Sequence, residues 1–82
     1  MPDGRDAVAI VSDYMDSLAG RHVEVDEPVI SSRLLESIAA VQLIDFVESV
    51  FGVAVEDDDL VLANFDSVAA VAALVRSKLG EA

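Results

Sequence analysis

Apolar residues recur at intervals of three and four along three stretches of the chain, a spacing that places them on one face of an α-helix. The first stretch predicts a helix over residues 5–18. The second predicts a helix over residues 37–51, and the last predicts one over residues 67–79. Between the second and the last of these helices, residues 60–65 can form one short helical turn. The pattern therefore predicts an all-α protein.

The same spacing identifies the side chains expected to face the core. In chain order these are Val8, Val11, Met15, Leu18, Ala40, Leu43, Ile44, Val47, Phe51, Val68, Val71, Ala72, Val75 and Leu79. Gly20 and Gly52 follow the first two stripes, and glycine is a common helix end because it adopts the left-handed conformation readily. Ser67 stands before the last stripe as a helix-capping signal.

Residues 20–36 join the first two long helices and are predicted to form a long ordered loop. Residues 23–26 alternate apolar and acidic side chains as a strand does, but the chain offers no second strand to satisfy the backbone groups. Loops of this length in compact domains are uncommon and often functional. The predicted fold is one domain over residues 1–82, a small four-helix bundle of three long helices and one short helix.

The composition is strongly acidic, with sixteen Asp and Glu against five Lys and Arg and a net charge of −11 in 82 residues. Nucleic-acid binding needs a basic surface, and anionic membranes repel an acidic one, so neither partner is expected. A protein surface rich in Lys and Arg is the expected partner, found by salt-sensitive attraction. The alternative is that the acidity only keeps a small apolar domain in solution.

No catalytic or metal site is predicted. The chain has no cysteine, its single histidine, His22, falls in the predicted loop, and no glycine-rich phosphate loop is present. Asp57-Asp58-Asp59 lacks the ligand alternation and the glycine of a calcium loop, so a solvated turn is predicted there. No signal sequence is evident, and no apolar run approaches the roughly 20 residues that span a bilayer. A cytoplasmic monomer is expected.

Ser37 is the candidate for chemistry because it stands at the predicted start of the second helix. Helix N-termini offer unpaired N–H donors and a partial positive charge, which suit a phosphate-linked group on the serine oxygen. Alternatively, Ser37 is an N-cap whose hydroxyl accepts a backbone N–H of the following turn. A capping box would place Glu or Gln three residues later, where the chain has Ala40.

The segment from Glu36-Ser37-Ile38 to Phe51-Gly52 resembles, without a gap, the modification segment of acyl and peptidyl carrier proteins. The usual form in that family is Asp-Ser-Leu followed by a helix that ends in Phe-Gly. Residues 64–68 also resemble the family's lead-in to its last helix, and the likeness extends over nearly the whole chain. Further aliphatic matches within the second helix are Val41, Leu43 and Val47.

The resemblance implies that Ser37 receives 4′-phosphopantetheine from coenzyme A through a phosphopantetheinyl transferase. The thiol of that arm would carry acyl groups as thioesters between an acyltransferase, a ketosynthase or acyl- and aminoacyl-activating enzymes. Tethering raises the effective concentration of the group at each docked enzyme. The resemblance also implies a docking surface around the modified helix, formed by Glu36, Ile38, Gln42, Asp45, Glu48 and Ser49.

Some positions depart from the family pattern. Glu36 replaces the usual Asp, and Arg33 stands where many carriers have glycine, either to contact the phosphate of the arm or as a solvated loop residue. Gln42 and Ser49 replace carboxylates common in fatty-acid carriers. These departures, with the starting methionine and the short tail, favour a free-standing acyl carrier of polyketide or related natural-product biosynthesis. The alternatives are an aminoacyl or peptidyl carrier of nonribosomal peptide assembly and an unmodified acidic helical interaction module.

Overall fold

A computed structural model describes residues 6–80 of the protein. Within that range the chain forms four α-helices and no strand: α1 (Ala7–Ala19), α2 (Ser37–Phe51), α3 (Leu62–Phe65) and α4 (Val68–Lys78). A 3-10 turn, Asp57–Asp59, precedes α3. The prediction of an all-helical small bundle is confirmed for these residues. The predicted start of the first helix at residue 5 lies outside them.

The core lies where α1 packs against α4, with α2 and α3 closing its sides. Its fully or almost fully buried side chains are Ala7, Val11, Met15, Val23, Val29, Leu35, Leu43, Val47, Phe51, Phe65, Val68, Val71, Ala72 and Val75. One expected core position is wrong, because Val8 is exposed. The inward face of α1 follows Ala7, Val11 and Met15 at intervals of four, which turns Val8 toward solvent.

The loop between α1 and α2 is held to the bundle by three buried side chains, Val23, Val29 and Leu35. Its backbone is also tied to the rest of the fold. The Val29 N–H donates to the carbonyl of Asp66 at 2.7 Å, and the Val25 carbonyl accepts the N–H of Ala69 at 2.9 Å. The predicted loop is therefore held in place by its buried side chains and by backbone contacts with Asp66 and the first turn of α4.

The helix ends follow the signals in the sequence. Gly20 and Gly52 have positive φ values of 73° and 67°, and their N–H groups donate to the carbonyls of Asp16 and Glu48. Ser67 caps α4 by accepting the Ala70 N–H at 3.1 Å. Among the described residues, no helix combines the length and apolar character needed to cross a membrane.

Candidate functional site

Ser37 is the first residue of α2 and is exposed to solvent. Glu36, in extended conformation, holds the N-cap position, and no side chain caps this helix. The first backbone hydrogen bond of the helix runs from the Ala40 N–H to the Glu36 carbonyl at 3.0 Å. The interpretation of Ser37 as an N-cap is therefore wrong, because Ser37 lies one residue too far along the chain. Its hydroxyl makes no hydrogen bond to any residue between 6 and 80.

The N-terminus of α2 leaves backbone donors unsatisfied. The N–H groups of Ser37, Ile38 and Ala39 have no acceptor within the part of the chain that the structure describes. Such groups, together with the helix dipole, give a helix start a partial positive charge. The position of Ser37 therefore suits an anionic group attached to its oxygen.

An open groove of about 740 Å³ runs alongside Ser37. Its lining is mostly apolar and comes from the end of the first loop and the first turn of α2: Ile30, Arg33, Leu35, Glu36, Ser37, Ile38 and Ala40. One cation, one anion and one hydroxyl interrupt this lining. We call it the Ser37 groove.

Arg33 supplies the cation of the Ser37 groove. Its backbone has a φ of 65°, the left-handed conformation that glycine adopts at lower cost. An L-residue with a Cβ pays about 1–2 kcal/mol for that conformation. Arg33 is exposed and makes no ion pair with the described residues, whereas Arg21 pairs with Glu27. The groove wall therefore carries a guanidinium that remains available to an anion.

Asp66 holds the loop wall of the Ser37 groove from the other side of the fold. Its carboxylate accepts the N–H groups of Ile30 and Ser31, each at 2.8 Å, and the hydroxyl of Ser31 at 2.7 Å. The Ser31 N–H is the main cause that lowers the pKa of the Asp66 carboxyl. Because Ile30 lines the groove, Asp66 acts as a positioning residue for its shape.

Five of the six predicted docking residues, Glu36, Ile38, Gln42, Asp45 and Ser49, are exposed on or beside α2. The sixth, Glu48, is half-buried, and its Oε2 accepts the N–H of Val55 at 2.9 Å. One carboxylate oxygen of Glu48 is therefore engaged in holding the chain that follows α2.

Sequence reasoning identified Ile38 as a surface residue but missed the exposure of Val41. The side chain of Ile38 is 77% exposed and that of Val41, one turn later, is 65% exposed. Both residues stand off the buried stripe of α2, so the helical spacing could have identified Val41 as a surface residue. Together they form an apolar surface next to the serine, the kind of feature that marks a contact with another molecule.

The remaining polar clusters are structural. His22 is exposed beside Asp16, whose carboxylate raises the pKa of the imidazole, with Nδ1 and Oδ2 3.2 Å apart. Asp59, at the end of the 3-10 turn, pairs with Lys78, which lowers the pKa of the Asp59 carboxyl. No group of three or more His, Asp or Glu side chains in residues 6–80 is placed to hold a metal ion.

Comparison with known proteins adds no family to this picture. The chain matches no protein-family model and no curated protein. The residues of the Ser37 groove and the surface of α2 are therefore the features from which a function can be inferred.

Proposed function

We propose that the protein is an acyl carrier that bears a 4′-phosphopantetheine arm on Ser37 and serves polyketide or related natural-product biosynthesis. The supporting observation is the condition of the Ser37 hydroxyl, which is exposed at the start of α2 and makes no hydrogen bond within residues 6–80. A transferase can approach such an oxygen directly. A capping hydroxyl would first have to give up its backbone partner.

The groups around Ser37 fit the phosphate of such an arm. The N–H groups of Ser37, Ile38 and Ala39 are donors at the positive end of a helix. The Arg33 guanidinium, on the wall of the same groove, can bind phosphate oxygens in a bidentate manner. A cation at this point of a chain with net charge −11 favours an anionic group at Ser37.

The arm supplies a terminal thiol on which acyl groups are held as thioesters. The task of the protein is then to present Ser37 and to orient α2 toward each partner enzyme. Ile38 and Val41 provide an apolar contact, while Gln42, Asp45 and Ser49 provide a polar rim on the same helix. A small apolar contact with a charged rim gives fast, oriented and weak association, which suits a carrier that visits several enzymes.

Mass spectrometry of the intact protein tests this proposal. Incubation with coenzyme A and a broad-specificity phosphopantetheinyl transferase is expected to add the mass of one phosphopantetheine. Ser37→Ala should abolish the gain, and Ser67→Ala should retain it because the Ser67 hydroxyl is engaged as a cap. Circular dichroism should find similar helical content in both variants.

Two outcomes would contradict the proposal. One is an unchanged wild-type mass in a reaction that modifies a known carrier protein. That result would leave the apolar surface of Ile38 and Val41 as the contact of an unmodified interaction module. The other is a mass gain that persists in Ser37→Ala, which would locate the modification at a different residue.

An aminoacyl or peptidyl carrier is the second candidate, favoured by Gln42 and Ser49, which leave few carboxylates on the exposed side of α2. The modified protein can be offered separately to acyl- and aminoacyl-activating enzymes, and loading measured by mass. We expect acyl loading. Rejection of every acyl donor together with acceptance of an aminoacyl donor would reverse the order of the two candidates.

A further inference from the structure

A second groove of about 220 Å³ lies between α1 and α2, and it does not include Ser37. Its lining consists of Tyr14 from α1 and Gln42, Asp45, Phe46 and Ser49 from α2. The rings of Tyr14 and Phe46 are stacked, with centroids 3.8 Å apart and planes 9° from parallel. The Tyr14 hydroxyl donates to the backbone carbonyl of Gln42 at 3.4 Å, which ties the ring to α2. We call it the aromatic groove.

The aromatic groove combines π-electron density with hydrogen-bond acceptors. Aromatic faces carry partial negative charge, and a parallel stack brings two such faces together, which is less favourable than an offset or edge-to-face pair. A cation over the outer face of either ring would be attracted by the negative charge of that face. The exposed carboxylate of Asp45, the amide oxygen of Gln42 and the hydroxyl of Ser49 provide acceptors around the rings.

The electrostatic surroundings also favour a cation. No basic side chain is among the residues that line this groove. Two of the described cations are paired elsewhere, Arg21 with Glu27 and Lys78 with Asp59. The net charge of −11 adds a long-range field of the same sign.

We propose that the aromatic groove binds an arginine side chain on the basic surface of a partner protein. A guanidinium is planar, stacks on aromatic rings and presents several donors in a fixed fork, so it can use rings and acceptors together. A lysine ammonium is compact and strongly hydrated, and it uses such a mixed lining less well. A second copy of this chain is a poor occupant because two proteins of charge −11 repel each other.

The proposal extends the recognition surface from α2 to α1 through Tyr14. Under the proposal, Gln42, Asp45 and Ser49 all contact the same arginine side chain of the partner, instead of separate points on its basic surface. It depends on neither the modification of Ser37 nor the Ser37 groove. The binding experiment can therefore be made with the Ser37→Ala protein, so that the two proposals fail separately.

The chain provides its own reporter, because Tyr14 is the only tyrosine and there is no tryptophan. Titration with an acetylated peptide of three arginines separated by glycines should change the tyrosine fluorescence and shift the amide resonances of residues lining the aromatic groove. A matched lysine peptide is the reference. At an ionic strength of about 0.15 M, we expect about five-fold tighter binding of the arginine peptide, equivalent to about 1 kcal/mol.

Matched variants separate this site from general attraction to an acidic chain. Asp45→Asn should weaken binding of the arginine peptide about five-fold. Asp13→Asn removes the same charge from a residue outside the groove lining and should weaken binding less than about two-fold. Tyr14→Leu removes the fluorescent reporter, so binding to this variant is measured by amide resonances. The arginine and lysine peptides should bind it with equal affinity.

Equal affinity of the arginine and lysine peptides for the wild-type protein would overturn the proposal. Equal losses in Asp45→Asn and Asp13→Asn would also overturn it, since both results describe attraction to net charge alone. Resonance shifts centred on Asp57–Asp59 instead of the aromatic groove would have the same meaning. Circular dichroism of each variant verifies that the helices are retained.

Discussion

Two segments of the chain have the same pattern of an acidic residue, a serine, a β-branched residue and two alanines. One covers residues 36–40 at the start of α2, and the other covers residues 66–70 at the start of α4. In the second segment, Asp66, Ser67 and Val68 all serve the fold, through hydrogen bonds, a helix cap and burial in the core. The corresponding residues of the first segment, Glu36, Ser37 and Ile38, are exposed to solvent. This difference separates a structural helix start from a helix start that is available for chemistry.

The serines differ by one residue in their position relative to the helix. Ser67 precedes α4 and caps it through the Ala70 N–H, whereas Ser37 is already the first residue of α2. The acidic residues also differ in their contacts. The Asp66 carboxylate accepts hydrogen bonds from the loop between α1 and α2, whereas the Glu36 side chain is exposed and does not cap α2. Local sequence is almost identical in both segments, so tertiary contacts decide which serine is engaged.

The largest difference in stability is expected between the two acidic residues. Asp66→Ala removes the acceptor of three hydrogen bonds that hold Ile30 and Ser31 and should lower the free energy of unfolding by about 2 kcal/mol. Glu36→Ala removes an exposed side chain and should change it by less than about 0.5 kcal/mol. Urea unfolding near neutral pH measures both. Equal costs for the two variants would contradict the positioning role of Asp66.

The pH dependence of the Asp66 effect has a defined sign. A carboxyl whose pKa is lower in the folded state than its ordinary value of 3.8 stabilises the fold above 3.8, and this contribution is lost as the pH falls through the folded-state pKa. The stability difference between wild type and Asp66→Asn should therefore be largest near neutral pH and shrink in acid. The comparison of these two proteins isolates Asp66 from Asp16 and Asp59, whose pKa values are also lowered.

The β-branched residues give a contrast of similar size. Val68 is fully buried in the core, so Val68→Ala should cost about 2 kcal/mol through lost burial and the cavity left behind. Ile38 is 77% exposed, and Ile38→Ala should cost less than about 0.5 kcal/mol. Urea unfolding again measures both changes. A large cost at Ile38 would mean that its side chain stabilises the fold, and its availability to a partner would then be in doubt.

The sequence predicted the elements whose signals are local. The helix over residues 37–51 could be predicted because its apolar stripe is long and regular and because Gly52 follows it. The cap at Ser67 could be predicted because a serine directly precedes the apolar stripe of the last helix. The exposure of Val8 could not be predicted. Ala7 and Val8 are both apolar, so the sequence does not show which of the two faces the core.

The sites depend on contacts between distant parts of the chain, and periodicity carries no information on these. The wall of the Ser37 groove is held by Asp66, which stands 35 residues after Ser31. The aromatic groove needs Tyr14 and Phe46, which are brought together only when α1 packs against α2. Ser37 could be identified as a candidate from sequence, but its release from capping could not, because residues 66–70 contain the same local signal.

The smallest expected stability difference is between the two serines themselves. Ser67→Ala removes the cap of α4 and should lower the free energy of unfolding by about 1 kcal/mol. Ser37→Ala removes a hydroxyl that bonds to none of the described residues and should leave stability within about 0.5 kcal/mol of wild type. Urea unfolding of the unmodified proteins measures both. If Ser37→Ala cost as much as Ser67→Ala, the Ser37 hydroxyl would be stabilising a helix start after all, and its availability for modification would lose its physical basis.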